Sequence, residues 1–254
     1  MIFLLVRGLP LFIGLAAFAA CQWQWRNASI YPWPLVLVVI AYGAAAGLIA
    51  YRRLPLDELI HKMVPGVVVL IATGFAFLMI ESPSSRLAVS FMFAGSAAVS
   101  LEMLWTLVFD PARYPVHGLS RLNIAFMPMA AFFTSLGLTG LVYFIRTPEW
   151  LPPAVLSSLG ALAFFLTSHH SHNAAHRNRW TILGAAIGLQ AGILAIILPV
   201  SIVVQGAFTA FLFAIPLRIR RYSTGTTRRH IAAWGEGVGV AVLFLTVLLV
   251  SRWA

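Results

Sequence analysis

Charge is what this sequence has least of. Only 9% of its 254 residues are Asp, Glu, Lys or Arg, whereas a soluble domain carries roughly 25%. Lysine is nearly missing, since Lys62 is the only one. So few charges cannot cover a water-soluble surface. The 61% of hydrophobic residues instead come in long runs, which are typical of a membrane protein.

Cysteine and the common enzyme signatures are also scarce. A single cysteine, Cys21, excludes an internal disulfide. The sequence contains no Walker loop, Rossmann fingerprint, Gly-x-Ser-x-Gly elbow or zincin motif, so none of these enzyme classes is predicted. The residues from Phe18 to Cys21 resemble the end of a bacterial lipoprotein signal, but we expect an uncleaved first helix.

The apolar runs predict an all-α, polytopic transmembrane bundle of about nine spans, forming one membrane domain over residues 1–254 without a separate soluble domain. Each run is near the ~20 residues that cross a bilayer as a helix, and backbone groups in lipid must be satisfied within the segment. From Trp180 to Leu217 there is no charge, and we predict two spans separated by a turn at Pro199. The predicted spans are 2–20, 34–51, 63–80, 87–109, 122–145, 152–168, 180–197, 200–217 and 231–251.

The basic residues lie between the apolar runs, so the net charge of +10 indicates membrane topology and not nucleic-acid binding. Counted on alternate sides of the nine spans, 13 basic residues fall on one side and 4 on the other. The basic side is expected to be cytoplasmic, which places the N-terminus inside a bacterial inner membrane. The smaller group is Arg26, Arg86, Arg146 and Arg252.

Two carboxylates fall within predicted spans. Glu102 lies about two turns from the cytoplasmic end of the fourth span, and Glu236 lies near the cytoplasmic start of the ninth. A charge at this depth costs on the order of 2–3 kcal/mol, so each is a candidate for a substrate or proton pathway. We expect Glu102 to be protonated or to accept hydrogen bonds before it forms a salt bridge, because Arg7, in the weakest predicted span, is the only cation at similar depth.

Small and amide side chains mark predicted helix interfaces. Gln190 and Gln205 are deep enough to seek hydrogen bonds across an interface or to line the same pathway. Gly184, Gly188 and Gly192 recur every four residues and predict close approach of another helix. The pair Gly43 and Gly47 repeats this spacing, as does the pair Gly235 and Gly239.

A histidine cluster precedes the seventh span. In a helix, His169 and His172 would be three residues apart and His172 and His176 four, so they would share a face. Neutral imidazoles with this spacing can bind a transition metal. No second histidine motif accompanies them, and the alternative is a loop at headgroup level. We therefore expect no cofactor, with a metal at His169, His172 and His176 as the exception.

Three functional hypotheses remain. The first is a small permease or carrier with a polar site around Glu102 in the inner half of the membrane. The second is a non-catalytic membrane subunit or scaffold whose basic cytoplasmic loops dock a protein partner. The third is a metal-dependent membrane enzyme that uses the histidine cluster. The bilayer is an expected partner in each case.

Overall fold

The computed structural model describes residues 2–51, 53–115, 118–167, 174–198 and 200–222. These residues form helices and no strand. The helices are α1 (Ile2–Arg26), α2 (Trp33–Ala50), α3 (Leu56–Ala76), α4 (Pro83–Phe109), α5 (Gly118–Gly140), α6 (Leu151–Thr167), α7 (Ala174–Ile197) and α8 (Ile202–Tyr222).

Six of these helices are long and apolar enough to cross a membrane, namely α1 to α5 and α7. They identify the chain as a helical membrane protein. The apolar parts of α6 and α8 are shorter. The break predicted between the seventh and eighth segments is confirmed, because α7 ends at Ile197 and α8 begins at Ile202. The ninth segment, 231–251, lies outside the described residues, so the count of nine stays a prediction.

Proline and acidic residues determine where several helices begin. Pro34 and Pro83 lie in the first turns of α2 and α4, where the missing N–H is not needed for a helical hydrogen bond. Helix α3 begins directly after Pro55, with Asp57 and Glu58 in its first turn. Negative charge is favourable there because the first backbone N–H groups of a helix carry partial positive charge.

The chain divides into two compact units, Met1–Phe126 and Met127–Ala254. In the first unit α1 packs along α4 and α2, and α3 packs against α2 and α4. Helix α1 approaches α4 closely at Gly14, where a Cβ would lie 2.9 Å from the Cβ of Ala98 and 3.4 Å from the carbonyl oxygen of Ala94. Further along, the rings of Phe18 and Phe91 meet with centroids 4.9 Å apart.

A tyrosine at the centre of the first unit joins three helices. Tyr42 of α2 is fully buried, and its hydroxyl lies 2.9 Å from the Oγ of Ser100 in α4. The same hydroxyl rests on Gly66 of α3, where even a methyl group would overlap it. Ser100 also donates to the carbonyl of Ser96 at 2.7 Å. The absence of a side chain at Gly66 therefore permits this polar contact.

The second unit is built around the pair α6 and α7. A Cβ on Gly188 of α7 would overlap the carbonyl of Leu156 in α6, and one on Gly184 would overlap the carbonyl of Gly160. Gly192 faces Pro153 in the same way. The predicted glycine ridge on the seventh span therefore faces another helix, with backbone against backbone.

The glycine pair in α2 behaves differently. A Cβ added at Gly43 or Gly47 would meet no atom within 4 Å. The prediction that these glycines admit a neighbouring helix is wrong for the part of the chain that the structure describes. The other predicted pair, Gly235 and Gly239, lies outside that part.

Candidate functional site

The candidate site lies where the first turns of α1 meet the last turns of α4. Glu102 is seven residues before the end of α4 at Phe109, about 10 Å along the helix axis. Arg7 is five residues after the start of α1 at Ile2. The close packing of Gly14 against α4 holds the two helices side by side, so that these two side chains reach each other.

Arg7 and Glu102 form an ion pair. The Nη1 atom of Arg7 lies 2.5 Å from both carboxylate oxygens of Glu102. The expectation that Glu102 would be protonated or hydrogen-bonded before forming a salt bridge is therefore wrong. The physical reason is that α1 packs directly on α4, which places the guanidinium of Arg7 within reach of the carboxylate.

An aromatic ring completes the site. The guanidinium carbon of Arg7 lies 4.1 Å from the ring centroid of Trp105, within the range of a cation–π contact. Glu102 and Trp105 are three residues apart on α4 and therefore share a face. Trp105 is itself buried and stacks on Phe109, with ring centroids 5.5 Å apart. Arg7 is thus held by a carboxylate and by a ring of the same helix.

A second arginine lies at the end of this aromatic pair. The guanidinium carbon of Arg53 is 4.6 Å from the ring centroid of Phe109, and its Nη1 donates to the carbonyl of Val108 at 3.4 Å. This carbonyl belongs to the last turn of α4, where a positive charge is favourable. Arg53 therefore stabilises the end of the helix that carries the site.

The ion pair is accessible. The side chain of Arg7 is 45% exposed and that of Glu102 is 40% exposed, whereas Leu101 and Leu104 beside it are fully buried. Because the two charges come from different helices, separating them requires only that a side chain or one helix end move.

No known protein family matches this sequence, and neither a curated protein nor a solved structure shows significant similarity to it. Function must therefore be inferred from the chemistry of the site itself.

The predicted glutamines are in the second unit and differ in exposure. Gln190 is exposed on α7. Gln205 is buried, and its Nε2 donates to the carbonyl of Leu198 at 3.0 Å, in the connection between α7 and α8. Its Oε1 has no partner among the described residues. The role of both glutamines in a pathway stays a prediction. The hydrogen bond of Gln205 is made to the connection between α7 and α8 and not to a neighbouring span.

The side chains of the other predicted residues are not described by the structure. Glu236, His169 and His172 are outside the described residues, and His176 is described only as part of α7. Among the residues that the structure describes, no group of three His, Cys, Asp or Glu side chains could hold a metal ion. The histidine metal site stays a prediction.

Trp105 belongs to the site, but the sequence pattern alone does not predict this. The available signal is its position three residues after Glu102, which predicts that the two side chains share one face of α4. That signal does not show which helix the face meets. Only the packing of α1 on α4 brings Arg7 to both side chains.

Proposed function

We propose that this protein is a small permease or carrier of a bacterial inner membrane, with its polar site at Glu102 and Arg7. The observation that supports the proposal is the accessible ion pair between α1 and α4. Charged side chains within spans are rare and mark substrate or proton pathways by default. A carboxylate that is paired with another helix can couple its own protonation to the separation of the two helices.

Protonation gives this site a simple cycle. While ionised, Glu102 holds Arg7 and the N-terminal part of α1 against α4. A proton or a ligand that neutralises the carboxylate removes the attraction, and α1 is then free to move at that end. Such a change requires only two arrangements of one helix end, each favoured by a different state of Glu102.

Transport by proteoliposomes tests this proposal. Vesicles containing the protein and a trapped pH-sensitive dye are given a panel of amines, amino acids and carboxylates in turn. We expect at least one compound to drive proton movement, and Glu102→Gln to lower its rate by about 100-fold, as is typical for losing a proton-transfer group. Glutamine keeps the size of the side chain but cannot titrate.

Glu58→Gln is the matched control for this experiment. Glu58 also pairs with a basic side chain, Lys62, at 3.1 Å, but it lies in the first turn of α3. We expect the rates of proton movement in Glu58→Gln to equal those of the unsubstituted protein. A full rate in Glu102→Gln, or an equal loss in both variants, contradicts the assignment of Glu102.

The proposed orientation has the N-terminus in the cytoplasm, and it is supported by the distribution of basic residues. Cysteines at positions 148 and 221, introduced singly after Cys21→Ala, test it with a membrane-impermeant thiol reagent on intact cells. We expect labelling of Pro148→Cys, and of Arg221→Cys only after the membrane is permeabilised. Labelling of Arg221→Cys but not Pro148→Cys in intact cells would reverse the orientation.

A second candidate is a membrane subunit that docks a partner. It is favoured by a face of small residues on α2, where Gly43 and Ala44 are exposed and Gly47 is half-buried, because such a face allows another helix to approach closely. The basic cytoplasmic loops would then contact the soluble part of the partner. Co-purification of an additional subunit that is lost in Gly43→Leu would favour this candidate over the carrier.

A further inference from the structure

We infer that Glu102 and Trp105 form a binding site for an organic cation, and that Arg7 occupies it as a surrogate ligand from the same chain. The inference rests on the proposed function and names the substrate class of that site. The class comprises primary ammonium and guanidinium compounds, which carry the N–H groups that a carboxylate accepts. We call the carboxylate of Glu102 and the ring of Trp105 together the Glu102–Trp105 site, which does not include Arg7.

The contacts of Arg7 define the chemistry of the Glu102–Trp105 site. A carboxylate supplies a charge-assisted acceptor for N–H groups, and the face of an indole ring attracts cations through its quadrupole. Both groups contact the same guanidinium, at 2.5 Å from the nitrogen to the carboxylate oxygens and 4.1 Å from the carbon to the ring centroid. A free cation of similar size would make the same two contacts.

Neither group of the Glu102–Trp105 site comes from α1. Glu102 and Trp105 both belong to α4, and Trp105 is positioned by its stacking on Phe109. Removing Arg7 would therefore leave the carboxylate and the ring in place. The guanidinium of Arg53 on Phe109 shows that the same aromatic pair accepts a second cation on its other ring.

Arg7 is held loosely enough to be displaced. One of its terminal nitrogens, Nη1, makes both contacts with Glu102, so the pair lacks the two parallel bonds of a bidentate arginine. Pro10 lies between Arg7 and the packed Gly14, and proline removes one backbone hydrogen bond from the helix at that point. The exposed fraction of Arg7, 45%, provides a path for its departure.

The same geometry disfavours an anion. An anion that bound Arg7 would lie beside the charge of Glu102, and the ring face of Trp105 is negative. If an anion drew Arg7 away, the carboxylate of Glu102 would stay in place without a cation beside it. A cation replaces Arg7 contact for contact, and the displaced guanidinium is then free to reach water or lipid phosphate.

Binding of methylguanidinium to the purified full-length protein tests the inference. Equilibrium dialysis in detergent would compare the unsubstituted protein with Arg7→Ala. If Arg7 vacates the site about a tenth of the time, its removal should strengthen binding about tenfold. Adding Glu102→Gln to Arg7→Ala should abolish that gain. Arg86→Ala, which removes an arginine that lies over the ring of Trp25 near the other end of α4, should bind as the unsubstituted protein does.

Three results would overturn the inference: no gain in Arg7→Ala, an equal gain in Arg86→Ala, or a gain for acetate or phosphate instead of the cation. If Arg7→Ala is too unstable for dialysis, millimolar methylguanidinium should raise its melting temperature and not that of the Arg7→Ala, Glu102→Gln double variant. Equal effects on both would also contradict it.

Failure of this inference and failure of the carrier proposal are distinguishable, because dialysis involves no flux. Cation binding without transport would retain the site and exclude the carrier. Transport of an anion that depends on Glu102, without cation binding, would retain the carrier and exclude this substrate class.

Discussion

Replacing Gly188 with leucine should separate α6 from α7 and destabilise the protein by more than about 3 kcal/mol, above the usual loss for overpacking. The reason is that even a Cβ at this position would overlap the carbonyl of Leu156, and a backbone cannot change rotamer to make space. In detergent, the melting temperature should fall by about 6–12 °C, as expected for such a loss in a chain of this size. Thermal unfolding followed by tryptophan fluorescence would measure it.

Gly43→Leu is the matched control. The substitution is identical and also lies in the middle of an apolar helix, but nothing lies within 4 Å of the added Cβ. We expect a change within about 0.5 kcal/mol, as for other surface positions. Equal melting temperatures for Gly188→Leu and the unsubstituted protein would show that α6 and α7 do not pack as described.

The second large effect is expected at Gly66. Gly66→Ala places a methyl group on the hydroxyl of the fully buried Tyr42, and the loss should be about 1–3 kcal/mol, as for other overpacked sites. Tyr42→Phe alone should lose about 1 kcal/mol with its hydrogen bond to Ser100. Ser100 keeps its own acceptor, the carbonyl of Ser96.

Combining Gly66→Ala with Tyr42→Phe shows whether overlap with the hydroxyl of Tyr42 causes the loss of stability. Phenylalanine at position 42 has no hydroxyl, so it removes the atom that would overlap the new methyl group most and leaves the ring carbon Cζ at 3.1 Å. We therefore expect Gly66→Ala to be much less destabilising in the Tyr42→Phe background, a coupling that is measured by the double-mutant cycle. Additive losses would mean that Gly66 is needed for another reason, such as the shape of α3 after Pro65.

Helical spans are predictable from this sequence because a helix is the only way for a single segment to satisfy its own backbone in lipid. The run without charge from Trp180 to Leu217 divides into two helices as predicted, since one crossing cannot absorb so many residues. The lengths of α6 and α8 are less predictable. Within the described residues their apolar parts are shorter than the other spans, and each helix ends where the described residues end.

Helix neighbours are not predictable in the same way. Gly43 and Gly47 have the same four-residue spacing as Gly184 and Gly188, yet only the second pair meets another helix among the described residues. The spacing shows that close approach is possible, but the presence of a neighbour depends on the packing of the whole unit. For this reason the prediction for α7 is confirmed and that for α2 is wrong.

The candidate site shows the same limit. The depth of Glu102 identifies it as unusual, because a carboxylate in a span is costly. Its partner is not predictable, since Arg7 and Glu102 are 95 positions apart and the sequence does not show that α1 packs on α4. Trp105 is within reach of sequence reasoning, but its role depends on Arg7.

The contact between α6 and α7 has a consequence for how this pair tolerates sequence change. Where backbone meets backbone, the attraction does not depend on the identity of the flanking side chains, so Ile182 and Leu189, which are exposed, are open to exchange among apolar residues. Gly160, Gly184 and Gly188 are not, and a change at one cannot be compensated by a smaller residue opposite, because the closest atoms opposite are backbone atoms that every residue has. Variation along this helix pair should therefore alternate between permissive and invariant positions.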